Sequence, residues 1–215
     1  MIITTLSIIF GTMLGFILHI FCRSGNIFAN LLTDFSMWLI RGTPVVVLLM
    51  ILYYIIFGSV DIKGIWVAVM AFTMTFGTAF YRMLKFGTGA IDKGQNEAAY
   101  ALGFTDNQTF FKVILPQAAL HFMPTYKAEV TTLIKSTSIV GYIAVQDLTK
   151  MGDIVRSRTY EAFFPLIAVA AIYFILAGIL NFIVNIIQVR ITPSKRKPKN
   201  ILRGIKLSGG DNNHD

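Results

Sequence analysis

The sequence predicts an all-α, polytopic membrane protein with about five transmembrane helices. Of its 215 residues, 55% are hydrophobic and only 14% are charged, whereas soluble domains carry about 25% charged residues. The mean hydropathy of +0.66 points to the same class. Long runs lack any Asp, Glu, Lys or Arg, and they do not alternate between apolar and polar residues as the strands of a membrane barrel do. Because lipid offers no hydrogen-bond partners to the backbone, helices are the expected spanning structure.

Five segments come close to the roughly 20 mostly apolar residues that a membrane-spanning helix needs. The expected spans are residues 1–22, 36–60, 64–84, 124–146 and 162–189. The first segment lacks a basic start and a clear cleavage site, so we expect a retained span rather than a signal peptide. The fourth is less uniform, because it contains Lys127, Glu129 and Lys135.

The distribution of Lys and Arg predicts the orientation of these spans. Five spans place the termini on opposite sides, and cytoplasmic connections collect basic residues. With the N-terminus outside, most of the basic residues lie in the cytoplasm, among them those of the loop 92–117 and of the tail 191–215. We therefore expect a multi-pass protein of the plasma (inner) membrane with a cytoplasmic C-terminus. The tail is expected to be disordered and to contact anionic lipids, so the net charge of +8 does not indicate nucleic acid.

The polar loop 92–117 has a pattern of its own. Its residues 97–102 are mostly good helix formers, and Gly103 can adopt the left-handed conformation that ends a helix. Thr105 followed by Gln108 matches a capping box for a second helix, and Pro116 marks a further boundary. The pattern predicts two short helices joined at a glycine. From physics alone, a knob that docks onto a partner and an amphipathic hairpin at the membrane surface are equally good interpretations.

The order of residues in this loop resembles the coupling loop of permease subunits of ABC importers. The matching positions are Glu97, Ala98, Ala99, Gly103, Val113, Leu115 and Pro116. Val113 stands where the family usually has isoleucine. The resemblance implies that these residues form the coupling helix, which docks onto an ATPase subunit and transmits its movement to the membrane spans.

Further motifs resemble the permeases of bacterial importers for histidine, glutamine, glutamate, arginine or cystine. They are the motif Arg41, Gly42, Thr43 and Pro44 at the second span, Lys93-Gly94-Gln95 before the loop, and Lys135-Ser136-Thr137-Ser138 in the fourth span. The resemblance covers about residues 4–190. It implies the type I (MetI-like) permease fold, a homodimer or heterodimer with a second permease, two ATPase subunits and an extracytoplasmic amino-acid-binding protein.

Charged groups within the spans are candidates for the substrate path, because burying one in a bilayer costs about 2.5–3.5 kcal/mol on insertion scales. The charged candidates are Glu129, Lys135 and Arg82, and Thr137 and Ser138 are added because their hydroxyl groups can bond substrate or neighbouring backbone. The alternative for Glu129 and Lys135 is an ion pair or snorkelling to the membrane surface. Family members often have an acidic residue followed by Arg in the third span, where this chain has Arg82 and Lys85. Glutamine or glutamate is therefore the first expectation, with cystine and basic amino acids still open.

The sequence has no residue pattern for ATP binding, metal binding or an enzyme active site. The sequence has no P-loop pattern, so ATP and Mg²⁺ are expected on a partner subunit and not as cofactors of this chain. His19 and His121 stand far apart without metal-ligand spacing, and no cluster of catalytic groups predicts an enzyme. The alternative function is a secondary amino-acid transporter or a channel that works without an ATPase.

Overall fold

The computed structural model describes residues 1–23 and 27–191, and these residues are mostly helical. The α-helices are α1 Ile2–Arg23, α2 Ile27–Gly42, α3 Val45–Met50, α4 Gly64–Gly89, α5 Lys93–Ala101, α6 Asp106–Thr109, α7 Leu115–Ser136, α8 Leu148–Thr159 and α9 Phe163–Ile191. Two π-helical segments, Ile51–Ile56 and Phe110–Ile114, follow α3 and α6, and a 3₁₀ segment, Thr137–Ile143, follows α7. The all-α prediction is confirmed for this part of the chain. The predicted tail lies outside the described residues except for Ile191.

Three helices, α1, α4 and α9, are each long and apolar enough to cross a membrane. The predicted second span, 36–60, is wrong as a single helix. Residues 30–42 of α2 and the stretch 45–56 meet at an angle of 104°, so they form one broken span or a re-entrant pair. Pro44 explains the break, because it lacks an N–H group and its ψ of 135° is not helical.

The predicted fourth span, 124–146, also differs from the structure. The helix α7 begins at Leu115 and ends at Ser136, after which the chain tightens into the 3₁₀ segment. Pro124 lies inside this helix rather than at its start. The helix α7 is less apolar than α1, α4 and α9, and it packs between α4 and α9. That position gives its polar side chains partners on neighbouring helices.

The helix α4 lies at the centre of the described structure, and α1 packs closely along it. The buried residues of α1 follow one stripe: Thr4, Ser7, Gly11, Gly15 and His19. A Cβ atom on Gly15 would lie 2.5 Å from the carbonyl oxygen of Gly77 and 2.8 Å from the Tyr81 nitrogen. The two backbones therefore touch, as in other membrane helix pairs with a G-x-x-x-G spacing.

The other side of α4 packs against α7 through two apolar clusters. Phe72 and Phe76 of α4 meet Val130 and Leu133 of α7 in the larger cluster. The smaller cluster brings Phe80, Met83 and Leu84 of α4 together with Ala118, Ala119, Phe122 and Met123 of α7. This packing holds α7 against the centre of the structure.

Polar contacts join α7 to α9. The Nζ atom of Lys127 donates to Oδ1 of Asn185 at 3.3 Å, and the Thr131 hydroxyl donates to Oδ1 of Asn181 at 2.8 Å. Hydrogen bonds between such groups are a common way for membrane helices to associate. The contacts give the Lys127 ammonium group a partner within the helix bundle.

Candidate functional site

The short helix α5 is the central element of the predicted coupling loop. Asp92 caps its start, with Oδ1 accepting a hydrogen bond from the Gly94 N–H at 2.6 Å. At its end, Gly103 has a φ of +81°. The Phe104 N–H donates to the Ala99 carbonyl at 3.1 Å and the Gly103 N–H to the Tyr100 carbonyl at 2.9 Å. This is the Schellman pattern of helix termination, so the predicted left-handed conformation of Gly103 is confirmed.

The predicted capping box after Gly103 is also confirmed. The Thr105 hydroxyl accepts from the Gln108 N–H at 3.4 Å, and Oε1 of Gln108 accepts from the Thr105 N–H at 3.0 Å. Both contacts use donors at the start of α6 that would otherwise lack partners. The turn between α5 and α6 is therefore specified by local interactions on both sides.

The predicted boundary at Pro116 is a change of helix type, because the π-helical segment ends at Ile114 and α7 begins at Leu115 while the chain stays helical. The helix α6 continues through the π-helical segment Phe110–Ile114 directly into α7. Pro116 lies in the first turn of α7, where it cannot donate to a carbonyl of the preceding turn. The wider π-helical turn lies immediately before it. The loop thus has the two predicted short helices, α5 and α6, joined at the Gly103 turn, and α6 runs on as a continuous helical rod into α7.

The predicted coupling residues differ in how far their side chains are exposed to solvent. Glu97, Ala98 and Gly103 are exposed, whereas Ala99 is only 3% exposed and faces the protein. Among the described residues, no atom lies within 4 Å of the place where a Gly103 Cβ would be. Leu102 is 77% exposed and adds an apolar group beside them. Of the rest, Val113 and Leu115 are half-buried and Pro116 is exposed.

Arg23 at the end of α1 holds the start of α6, a role that the sequence analysis missed. Its Nη2 atom donates to the Asp106 carbonyl at 2.8 Å, and its guanidinium carbon lies 4.6 Å from the centre of the Phe110 ring. The His19 ring stacks on Phe110 at 5.7 Å. The available signal was a basic residue directly after the first apolar run.

Two further contacts stiffen the loop. The Gln117 side chain donates from Nε2 to Oε1 of Gln95 at 3.1 Å, which joins α5 to α7. A hydrogen bond to the Asp106 carboxylate raises the pKa of Tyr100. Deprotonating Tyr100 would place a second negative charge beside Asp106, so the phenol stays protonated and can donate.

The candidate path residues do not converge on one site in this chain. Lys135 and Ser138 line a cleft of about 600 Å³ between α7 and α9, together with Thr131. Thr137 lines a different cavity, which also contains Asp147. The predicted alternative of an ion pair between Glu129 and Lys135 is not found among the described residues, whose ion pairs are Lys85–Asp34 and Arg156–Asp153.

Glu129 and Arg82 lie away from that cleft. Glu129 is half-buried on α7, and Arg41 at the end of α2 acts on it electrostatically. Thr43 of the same motif donates to the Leu39 carbonyl at 2.9 Å. Arg82 lies with Lys85 beside the first half of α7, in a groove with His121. In the part of the chain that the structure describes, no three His, Cys, Asp or Glu side chains lie close enough to hold a metal ion.

Known proteins resemble this chain in both sequence and architecture. The family model described as "Binding-protein-dependent transport system inner membrane component" matches residues 7–197. The "Putative glutamine transport system permease protein GlnP" of Rickettsia bellii (strain RML369-C) is 33% identical over 196 residues, which cover 89% of this chain and 88% of the relative. The "Arginine transport system permease protein ArtQ" of Bacillus subtilis (strain 168) is 34% identical over 187 residues, 84% of each chain.

A solved structure supports the same assignment. The "Crystal structure of an amino acid ABC transporter with histidines" contains a chain that superposes with a TM-score of 0.77 and 31% identity. The match covers 87% of this chain and 88% of the other. The expected permease fold of type I ABC importers is therefore confirmed. The chain belongs to the binding-protein-dependent transport system inner membrane components, as an inner-membrane, multi-pass permease of the amino-acid ABC importer group.

Proposed function

We propose that this chain is the permease subunit of an ATP-driven importer for a polar amino acid and that α5 is its ATPase-docking element. One observation supports this proposal above the others. The helix α5 and the turn after it present Glu97, Ala98 and Gly103 outward, and this turn joins α5 to the helical rod that runs from α6 into α7. A force on α5 would therefore reach the helix that carries Glu129 and Lys135 through a turn that is fixed by hydrogen bonds on both sides.

The contacts around α5 suggest how movement would be transmitted. ATP and Mg²⁺ would bind to the two partner ATPase subunits, whose closure would displace α5. The Gln95–Gln117 hydrogen bond would pass this displacement to α7, and the Arg23 contacts would pass it to α1. Coupling of this kind requires two states of the permease that both the nucleotide and the loaded binding protein favour differently.

The proposed assembly contains a second permease, either another copy or a related chain, and an extracytoplasmic amino-acid-binding protein. Glutamine is the first substrate that we propose, because two relatives carry the name "Putative glutamine transport system permease protein GlnP". The similar identity to an arginine permease keeps a basic amino acid as the main competitor. The proposed path residues are Arg82 on α4 and Glu129, Lys135, Thr137 and Ser138 on α7 or the 3₁₀ segment that follows it.

The docking proposal is tested by purifying the tagged chain from its native membrane in mild detergent and identifying stoichiometric partners by mass spectrometry. We compare the wild type with Ala98→Glu and Gly103→Asp. The matched control is Ala162→Glu, which alters another exposed alanine outside the long helices, just before α9. We expect a P-loop ATPase with the wild type and the control, and a strong loss with both loop variants. Equal ATPase recovery from all four proteins would contradict docking through α5.

The substrate is tested separately, by uptake of labelled glutamine with an excess of unlabelled competitors. We expect glutamine to compete most strongly and arginine weakly. Stronger competition by arginine or cystine would replace glutamine as the substrate while leaving the docking proposal unchanged.

A further inference from the structure

We propose that the short helix α8 is a lid that must move away from α9 during transport, and that Asp147, Thr149 and Tyr173 form the latch that holds it. The proposal rests on the proposed function, because it assigns a moving part to the importer. The helix α8 follows the 3₁₀ segment that carries Thr137 and Ser138. In the predicted orientation, this connection between α7 and α9 lies on the outer side of the membrane.

The latch is a chain of hydrogen bonds that joins the start of α8 to α9. The Tyr173 hydroxyl donates to Oδ2 of Asp147 at 3.2 Å. Because a tyrosine hydroxyl has only one hydrogen, Thr149 must be the donor in its 3.3 Å contact with the Tyr173 oxygen. The other oxygen of Asp147, Oδ1, accepts from the Lys150 N–H at 2.9 Å and caps α8. One carboxylate therefore both starts α8 and ties it to α9.

A second contact fixes α8 to α9 at Gly152. Gly152 is the one buried residue of α8, and a Cβ atom there would lie 2.6 Å from Cγ2 and 3.8 Å from Cβ of Val169. Residues 155–159 of α8 are all exposed within this chain. The contacts that anchor α8 to its own chain are therefore confined to its first two turns, where the latch lies.

Both ends of the lid have backbone conformations suited to hinges. Ala144 before α8 has a φ of 59°, and Tyr160 directly after α8 has a φ of 57°. Residues with a side chain rarely adopt this left-handed conformation, and such strained positions cluster in segments that switch between states. Just before Ala144, the Tyr54 hydroxyl donates to the Tyr142 carbonyl at 3.0 Å. The 3₁₀ segment is thus held in place while the lid turns at Ala144.

A cavity of about 520 Å³ adjoins the lid. Leu148 and Met151 of α8 line it, together with Ile65 of α4 and Ile134 of α7. Protein interiors contain few voids larger than a water molecule, so a space of this size beside α8 gives the helix room to change position. Thr137 lines the same cavity, which places a proposed path residue next to the lid.

The test locks the lid with a disulfide. In a Cys22→Ser background, Gly152→Cys and Val169→Cys place two Cβ atoms about 3.8 Å apart, the usual separation in a disulfide. Uptake of the labelled amino acid that the competition test selects is measured in proteoliposomes with the intact complex, after oxidation and again after reduction. We expect oxidation to abolish uptake and reduction to restore it. The control, Val169→Cys alone, should transport equally under both conditions.

A second arm does not depend on transport, so it separates failure of the latch from failure of the importer assignment. Amide hydrogen exchange in residues 145–161 is compared between Tyr173→Phe, which removes only the latch hydroxyl, and Tyr142→Phe, a change at a tyrosine that is 62% exposed. We expect about tenfold faster exchange in Tyr173→Phe, equivalent to about 1.4 kcal/mol for a hydrogen bond to a charged group. The Tyr142→Phe control should exchange as the wild type does.

Three results would overturn the proposal: full uptake by the oxidised, cross-linked complex, failure of the cysteine pair to form the disulfide, or unchanged exchange in Tyr173→Phe. A wild-type complex without ATP-dependent uptake would contradict the proposed function itself, and the role of the lid in transport would fall with it.

Discussion

At the scale of single residues, the backbone of Gly103 sets the direction in which α5 leaves the loop. Its φ of +81° is unfavourable for a side chain by about 1–2 kcal/mol, although asparagine tolerates it better than alanine. Space is not the obstacle, because the Cβ position is open. We expect Gly103→Ala to reduce ATPase co-purification more than Gly103→Asn does. Equal losses in the two variants would indicate that contact with the partner, and not backbone conformation, requires the glycine.

Arg23 provides a second prediction at this scale. Its hydrogen bond to Asp106 and its contact with Phe110 hold α6 against α1. We expect Arg23→Ala to accelerate amide hydrogen exchange in residues 93–109, and Arg23→Lys to do so less, since lysine retains a charged donor but loses the planar stack. Arg156→Ala, which removes an exposed arginine from α8, serves as the control. Unchanged exchange in Arg23→Ala would show that the contact does not restrain the loop.

At the scale of helices, the close packing of α1 on α4 depends on glycine. A Cβ on Gly15 would meet backbone atoms of Gly77 and Tyr81 at 2.5 and 2.8 Å, and backbone cannot move aside as a flexible side chain does. We expect Gly15→Ala to destabilise the chain by about 1–3 kcal/mol, measured by thermal unfolding in detergent. Gly178→Ala on α9 is the matched control, because no described atom lies within 4 Å of its Cβ position. Similar melting temperatures for the two variants would contradict the contact between α1 and α4.

The same scale shows which features could be predicted from sequence. Gly103 and the pair Thr105–Gln108 were predicted correctly because their hydrogen bonds join neighbours along the chain. Pro44 precedes the first residue of α3 and Pro116 lies in the first turn of α7, but the direction of the chain at each of them could not be predicted, because a proline permits several outcomes. At Pro44 the chain bends by 104°, whereas at Pro116 a π-helical turn lets the helix continue. Only the packing of neighbouring helices decides between a break and a continuation.

The candidate path was harder to predict than the loop for a related reason. Membrane charges mark candidate positions one by one, but the packing of α7 against α4 and α9 decides which of them share a cleft. Lys135 faces α9, whereas His121 lies beside Arg82 of α4. Asn181 and Asn185, which bond the polar side chains of α7, lie 50 and 58 residues after their partners Thr131 and Lys127. No local sequence pattern predicts such contacts. The G-x-x-x-G spacing of Gly11 and Gly15 was a usable signal that the sequence analysis left unused.

At the scale of the whole molecule, the charge distribution predicts that α5 and the start of α9 lie on opposite sides of the membrane. Single cysteines test this in a Cys22→Ser background, with Ala98→Cys on α5 and Ala162→Cys before α9, both at exposed positions. A membrane-impermeant maleimide applied to cells with an accessible inner membrane should label Ala162→Cys and should spare Ala98→Cys until the membrane is permeabilised. The reverse pattern would invert the proposed topology.

In the proposed function, an ATPase that acts through α5 drives transport by this chain. The most direct measurement is uptake of labelled glutamine into proteoliposomes that contain the purified complex, with binding protein outside and ATP inside. We predict uptake that requires ATP, persists when a protonophore removes the proton gradient, fails in Ala98→Glu and is retained in Ala162→Glu. Uptake without ATP that collapses with the proton gradient, and is equal in the two variants, would contradict ATP-driven transport through α5 and establish a secondary transporter.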